Sequence, residues 1–224
     1  LMAVGLELRL QRLAQRNRLG RDHVHQRAAL SAGEEILIPK YEFSRQMRND
    51  DMGMPLALKK NEVAIFEGIH ALNGELTKYI DDEWKYKIYI SPFVQLNMDN
   101  HNRIPSSYLR LLRRIVRDYE TRGASVAHTL NMWQSVRAGE ERWIYPFQEN
   151  ADVIFNSSTL YELAILKNHI YPLLNAVQPE QSCYEQVRAM VKILNYVQAA
   201  QVEDEIPPTS LVREFIGGNS FYRK

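Results

Sequence analysis

Apolar positions in this chain recur with two different periods, and the alternation between them lays out a mixed α/β order. Val63-Ala64-Ile65-Phe66, Tyr86-Lys87-Ile88-Tyr89-Ile90 and Asp152-Val153-Ile154-Phe155 are short β-rich runs separated by helical stretches. That order predicts a parallel sheet with crossover helices, whose functional groups gather at strand C-termini. Ahead of it, Ile36-Leu37-Ile38-Pro39 and Tyr41-Glu42-Phe43 alternate as a strand does, and Gly53-Met54-Pro55 predicts the turn before the chain returns. This segment reads as a small β-hairpin lobe. Leucines at 6, 8, 10, 13 and 19 fit a loosely amphipathic, arginine-rich helix over Leu6 to Leu19 ending near Gly20.

The later helices carry clearer punctuation. Ser106 or Ser107 is placed to cap a helix running to about Arg122 and stopped by Gly123, and Ser125 to cap another running through Trp133 to about Arg137. Leu160 to Val177 and Ser182 to Gln201 repeat apolar residues at helical spacing and are expected to cover the sheet or each other. After the break Glu203-Asp204-Glu205-Ile206-Pro207-Pro208, a short helix is predicted over Ser210 to Ile216, ended by Gly217-Gly218.

Composition narrows the classes. A chain of 224 residues, 45% hydrophobic and 25% charged, suits one globular α/β domain or a domain with a helical appendage. With 28 basic against 27 acidic side chains it is not built as a general polyanion binder, so any basic patch is a local device. The lone Cys183 cannot form an internal disulfide, no apolar stretch approaches membrane-spanning length, and no charged leader precedes the body, so a cytoplasmic setting is expected.

Arg110, Arg113, Arg114 and Arg117 stand at i, i+3, i+4 and i+7 on one predicted helix, with Tyr108, Leu112, Ile115 and Tyr119 on the opposite arc. Guanidinium forks on one face suit phosphoryl oxygens where charge builds up. The alternative is a solvated charged face in which Asp118 pairs with Arg114 or Arg122 at i,i+4 spacing. Glu67 follows four apolar residues and precedes Gly68, so it emerges at a strand end, where a carboxylate can orient a Mg²⁺-bound water or simply cap the next helix. His70 can donate to a phosphate or substrate, or serve packing alone. Tyr41, Phe43 and Arg48 on the hairpin lobe can stack and contact a nucleobase, or pack the lobe against the body. Trp133, Arg137, Trp143 and Phe147 form an aromatic and basic group that reads as core. None of the ten glycines opens a GxxxxGK[ST] phosphate loop.

Taken in order, Pro39-Lys40-Tyr41-Glu42-Phe43, Phe66-Glu67-Gly68-Ile69-His70-Ala71-Leu72, and Arg113-Arg114-Ile115-Val116-Arg117-Asp118 with Arg122-Gly123 resemble the uridine kinase and phosphoribulokinase family. The closer resemblance is to bacterial uridine kinase-like nucleoside kinases. Asn102-Arg103-Ile104, Met132-Trp133, Ser135-Val136-Arg137, Pro146-Phe147-Gln148-Glu149 and Arg213-Glu214-Phe215-Ile216-Gly217-Gly218 support it, and it extends over about residues 33–221. The resemblance implies a P-loop-kinase-like parallel sheet flanked by helices, with a small β-hairpin lobe, a helical C-terminal part and a mobile arginine lid. It implies ATP-dependent transfer of the γ-phosphoryl group to a nucleoside (uridine or cytidine) 5′-hydroxyl, with ATP and Mg²⁺ as cofactors, in pyrimidine salvage. Carried over by position, Arg114, Arg117 and Arg122 are lid arginines acting on transferring charge. Tyr41 and Phe43 lie against the nucleobase and Glu67 lies near the metal and phosphates, while Arg48 and His70 are placed at the substrate site by their own chemistry alone.

The chain departs from the family at Ala124, where the better-known uridine-cytidine kinases carry another basic residue, and at Gln46, near a family histidine. The larger departure is at the front. The family's central phosphate-loop strand, its glycine-rich loop with Lys and Ser/Thr, and its Asp-Asp-Tyr-like segment with the catalytic base have no counterpart in residues 1–32. Leu1 to Leu6 is the one short apolar run there that can stand in for a strand. The expected organisation is an atypical segment over 1–32, a uridine kinase-like α/β domain without the phosphate loop over 33–178, and a helical extension over 179–224. The expected behaviour is loss of turnover in this chain, read as truncated at its front. The alternatives are a catalytically silent module binding a nucleoside or a partner subunit, another small-molecule kinase of the phosphoribulokinase family, and RNA binding through the arginine helix. Apolar helical positions near the C-terminus allow a homo-oligomer contact.

Overall fold

The computed structural model describes residues 5–6, 19–42 and 47–221, with side chains described for 25–38 and 53–221. Among the described residues, six strands and six α-helices follow in the order β1 (Gly5–Leu6), α1 (Leu19–Ser31), β2 (Ile36–Glu42), β3 (Met47–Leu56), β4 (Ile65–Phe66), β5 (Ile88–Ser91), α2 (Ser106–Arg122), α3 (Val126–Trp143), β6 (Val153–Asn156), α4 (Glu162–Asn175), α5 (Tyr184–Asn195) and α6 (Arg213–Ile216). The strands pair two by two, β1 with β4, β2 with β3 and β5 with β6. β1 runs parallel to β4, with Gly5 opposite Ile65 and Leu6 opposite Phe66. In the third pair, Val153 N–H donates to Lys87 O at 3.3 Å and Ser157 N–H to Ser91 O at 3.0 Å. Those bonds advance together along both segments, so this pair is parallel too. The fold is α/β, small parallel strand pairs with helices, as P-loop kinases have. The front of the chain thus supplies two strand residues beside β4.

The hairpin lobe forms, but its turn is not where glycine and proline suggested. β2 and β3 are antiparallel, and Gly53-Met54-Pro55 lies inside β3, with Ile38 opposite Met54 and Leu37 opposite Pro55. A two-stranded ribbon tolerates this because both strands are edges, so the missing proline N–H can face away from the ladder. The register shifts between Ile38 and Lys40, opposite the stretch that holds Gly53, as a bulge needs. The connection between the two strands lies outside the described residues. So does most of the helix expected over Leu6 to Leu19; Gly20, expected to end it, stands in the first turn of α1.

The chain divides into two compact units, residues 1–89 with 139–153, and residues 90–138 with 154–224. In the first, Arg27 of α1 is buried, donates to Leu76 O at 3.4 Å and stands 4.9 Å from the centre of the Phe66 ring. Burial lowers its pKa from the ordinary arginine value. In the second, α2, α4, α5 and α6 enclose the main apolar core, built on Leu109, Leu112 and Val116 of α2, Leu166 and Ile170 of α4, and Leu194 of α5. Tyr108 reaches α5 and donates to Met190 O at 2.9 Å. Burial raises its pKa, which keeps the donor proton in place. Tyr119, expected on the buried arc of α2, is exposed; one turn earlier Ile115 already completes that face.

Helix ends follow local chemistry. α2 starts after Pro105 without a side-chain cap, while the Ser106 hydroxyl accepts from Val94 N–H at 3.3 Å instead. It stops at Gly123, whose φ of 60° is the left-handed conformation that glycine enters without penalty. Ser125 caps α3 by accepting from His128 N–H at 3.2 Å. α3 runs on past Arg137 to Trp143, because Gly139 weakens a helix without ending it and the next proline is Pro146. Among the described residues, no helix is long and apolar enough to cross a membrane.

Candidate active site

The basic face of α2 separates into two kinds of arginine. Arg113 turns inward and makes a two-point ion pair with the fully buried Glu162 of α4, Nε to Oε1 and Nη2 to Oε2, the latter at 2.7 Å. Its terminal nitrogens also donate to Ser157, to the carbonyl at 2.7 Å and the hydroxyl at 3.2 Å, and the guanidinium lies 5.1 Å from the Phe215 ring centre. This corrects the grouping of four arginines on one outer face: Arg113 ties α2 to α4 and α6. Its position after Leu109 and Leu112 and before Val116 is the i, i+3, i+4, i+7 stripe of a buried face, a signal present in the sequence.

Arg114, Arg117 and Arg122 gather on Asp118. Arg122 Nη1 donates to Asp118 Oδ1 at 2.9 Å, Arg117 Nη2 and Nε approach the same oxygen at 3.1 and 3.3 Å, and Arg114 Nε stands 3.3 Å from Oδ2. The pairing of Asp118 with Arg114 and Arg122 expected of a charged helix is therefore present, yet Asp118 is buried rather than solvated. Leu111, Ile115 and Asp118 share an inward stripe at i, i+4 and i+7, so helical spacing already carried this. The three guanidiniums keep between 19 and 38% of their side-chain surface exposed, enough to reach a ligand.

Glu67 follows β4 directly and is exposed, and Gly68 after it has a φ of 153°, outside the range that side chains favour. A single exposed carboxylate fits Mg²⁺, which keeps several waters and takes one or two protein carboxylates with the substrate phosphates. Among the described residues, no group of three or more His, Cys, Asp or Glu forms a dedicated metal site. His70, in the turn beyond Gly68, is half-buried and meets the Trp143 ring edge-on with centroids 5.7 Å apart. Desolvation lowers its pKa, so it stands neutral near pH 7 and is suited to hydrogen bonding rather than to charge.

On the hairpin lobe, Tyr41 and Arg48 are direct register partners across β2 and β3, and Phe43 lies outside the described residues. Tyr41, Arg48, Glu67 and His70 belong to the first unit, and Arg114, Arg117 and Arg122 to the second. In the other aromatic group, Trp133 packs on the apolar core as read, while Trp143 serves His70. Sequence reasoning missed the burial of Asp118, its third partner Arg117 and the buried pair of Arg113 with Glu162.

The nucleotide is a partial fit to these residues. Guanidiniums suit its phosphate oxygens and Glu67 its metal, but no GxxxxGK[ST] occurs among the 224 residues to wrap the phosphates in backbone N–H groups.

The comparisons with known proteins agree with the motif order. Uridine kinases of Staphylococcus aureus strains JH9, Newman and Mu50 are each 29% identical to this chain over 137 residues, covering 61% of it. The match spans 57% of the length of those relatives. The model of the phosphoribulokinase / uridine kinase family matches residues 21–164, more than half of the chain and inclusive of β4, the whole of α2 and Glu162. The chain belongs to the phosphoribulokinase / uridine kinase family.

Proposed function

We propose that this chain carries the acceptor lobe and arginine lid of an ATP-dependent nucleoside kinase acting on uridine or cytidine. The observation that supports it most is the trio Arg114, Arg117 and Arg122, held on one buried carboxylate in the stretch that the family match covers. Bound Mg·ATP supplies the phosphoryl group that such kinases pass to a nucleoside 5′-hydroxyl. On this reading Arg114, Arg117 and Arg122 hold phosphate oxygens and take up charge as it develops, with bidentate geometry that lysine lacks. Glu67 orients a water of the metal shell. Tyr41 and Phe43 lie against the base, Arg48 meets a polar edge of the substrate, and neutral His70 hydrogen-bonds it without adding charge.

The reaction also needs a loop around the phosphates and a carboxylate to take the hydroxyl proton, which the 224 residues do not contain in recognisable form. We therefore propose that the chain by itself binds nucleoside without turnover, in a cytoplasmic setting and in the service of pyrimidine salvage. The 1–32, 33–178 and 179–224 organisation remains part of this proposal, with the last segment offered for a homo-oligomer contact.

Calorimetric titration with uridine and with Mg·ATP, followed by an assay for nucleoside monophosphate, tests the reading. Uridine binding without phosphorylation supports it. Turnover would show that the front of the chain builds a phosphate site of its own, and a folded chain that binds neither ligand would favour a partner-binding module.

A further inference from the structure

We infer that Asp118 is a positioning residue, a buried carboxylate that presets Arg114, Arg117 and Arg122 in the arrangement that takes a polyphosphate. The inference rests on the phosphate reading of those arginines given above. Asp118 lies in the last two turns of α2, where the helix dipole disfavours a negative charge, and it is buried there, which disfavours it further. Only its cations make that placement tolerable, and it has three. Arg114 reaches it from one turn before and Arg122 from one turn after, both at i,i+4 spacing, while Arg117 folds over it from the adjacent position. One pair would neutralise the carboxylate; the second and third guanidiniums are explained by what the group does together.

Arg117 presents Nε and Nη2 to Asp118 Oδ1, which turns one edge of its planar fork toward the carboxylate and its Nη1 away from it. A long, flexible side chain held this way before binding has less freedom to lose when a phosphate arrives. The backbone carbonyl of Asp118 also accepts Ala124 N–H at 3.0 Å, so the same residue fixes where α2 ends and Arg122 projects.

The test is calorimetric titration of the full chain with inorganic tripolyphosphate, using wild type, Arg117→Ala, Asp118→Asn, Asp118→Glu and the Arg117→Ala/Asp118→Asn double variant. Val116→Ala, which loosens the buried face of the same helix without touching a guanidinium, controls for stability alone. Arg117→Ala and Asp118→Asn are each expected to weaken binding by about tenfold or more, and the double variant by little beyond the worse single one, because both remove the same anchored group. Asp118→Glu is expected to fall between wild type and Asp118→Asn, and Val116→Ala to bind as wild type does. Wild-type affinity in Asp118→Asn beside a weakened Arg117→Ala overturns the role of Asp118 and leaves the phosphate reading standing. Fully additive losses overturn it as well. If Asp118→Asn does not fold, wild-type affinity in Asp118→Glu does so. A wild-type chain that is folded and ignores tripolyphosphate overturns both readings together.

Discussion

Replacing Glu162 by alanine is the sharpest test of the fold, because it strands a buried cation. Glu162 has no exposed surface and Arg113 retains 12% of its side-chain exposure, so neither group can turn to water without moving a helix. The substitution removes both charge-assisted bonds to Arg113 and the acceptor that Thr159 N–H uses at 3.3 Å. Ser157 and the Phe215 ring remain, but neither carries a negative charge. Breaking a buried pair from one side costs about 3–5 kcal/mol, mostly the penalty of the uncompensated charge. For a chain of this size that is roughly 6–20 °C in melting temperature, at about 2–4 °C per kcal/mol. Thermal unfolding followed by circular dichroism reads it directly. The double variant Arg113→Met/Glu162→Leu is expected to recover most of the loss, since apolar groups of similar volume remove the stranded charge as well as the pair. A loss below about 1 kcal/mol for Glu162→Ala would refute the reasoning, because a pair so cheaply broken is a solvated one.

Other expectations follow from single observations. Gly123→Ala meets no atom within 4 Å of the added carbon, so its cost is conformational only, about 1 kcal/mol from the left-handed φ, read as a small fall in melting temperature. His70 has a lowered pKa in the folded chain, so the unfolded chain binds the extra proton first as pH drops. Urea midpoints should therefore hold above about pH 6.5 and fall progressively below it, and His70→Phe should flatten that slope. Arg117→Ala should weaken Mg·ATP binding and Tyr41→Ala uridine binding in separate titrations; unchanged affinities in both would remove the site assignment.

Much of the fold was legible where a residue type has one local use. Gly123 marked the end of α2 and Ser125 the start of α3, because a left-handed stop and a side-chain cap are decided within one turn. The strands were found because β-rich runs between helical stretches have few other readings. Reading Gly53-Pro55 as a turn failed because glycine and proline also serve a bulged edge ribbon, and only the partner strand tells the two apart. The end of α3 was misplaced because nothing in Gly139 itself distinguishes a weak helical position from a terminator. At the site, the identity of Arg114, Arg117 and Arg122 came from motif order, while the inward turn of Arg113 depended on Glu162 and Phe215, 49 and 102 positions away by the residue numbers (162 − 113 and 215 − 113). No local pattern names those partners.

On the lid reading proposed above, the two buried acids let one helix serve as both a structural strut and a lid. Glu162, from another helix, takes Arg113 and locks the inner side of α2 to α4. Asp118, from α2 itself, takes Arg114, Arg117 and Arg122 and so moves with them. An anchor on a second element would tie the arginines to the core and resist any motion of the lid. An anchor on the same helix keeps their mutual geometry whatever the helix does, so preorganisation of the phosphate donors does not require the lid to stay closed. Exchanging Arg113 for an uncharged residue should accordingly cost stability with little effect on polyphosphate affinity, whereas Asp118→Asn should do the reverse. Equal effects of both changes on both quantities would mean that α2 acts as one undivided charged face.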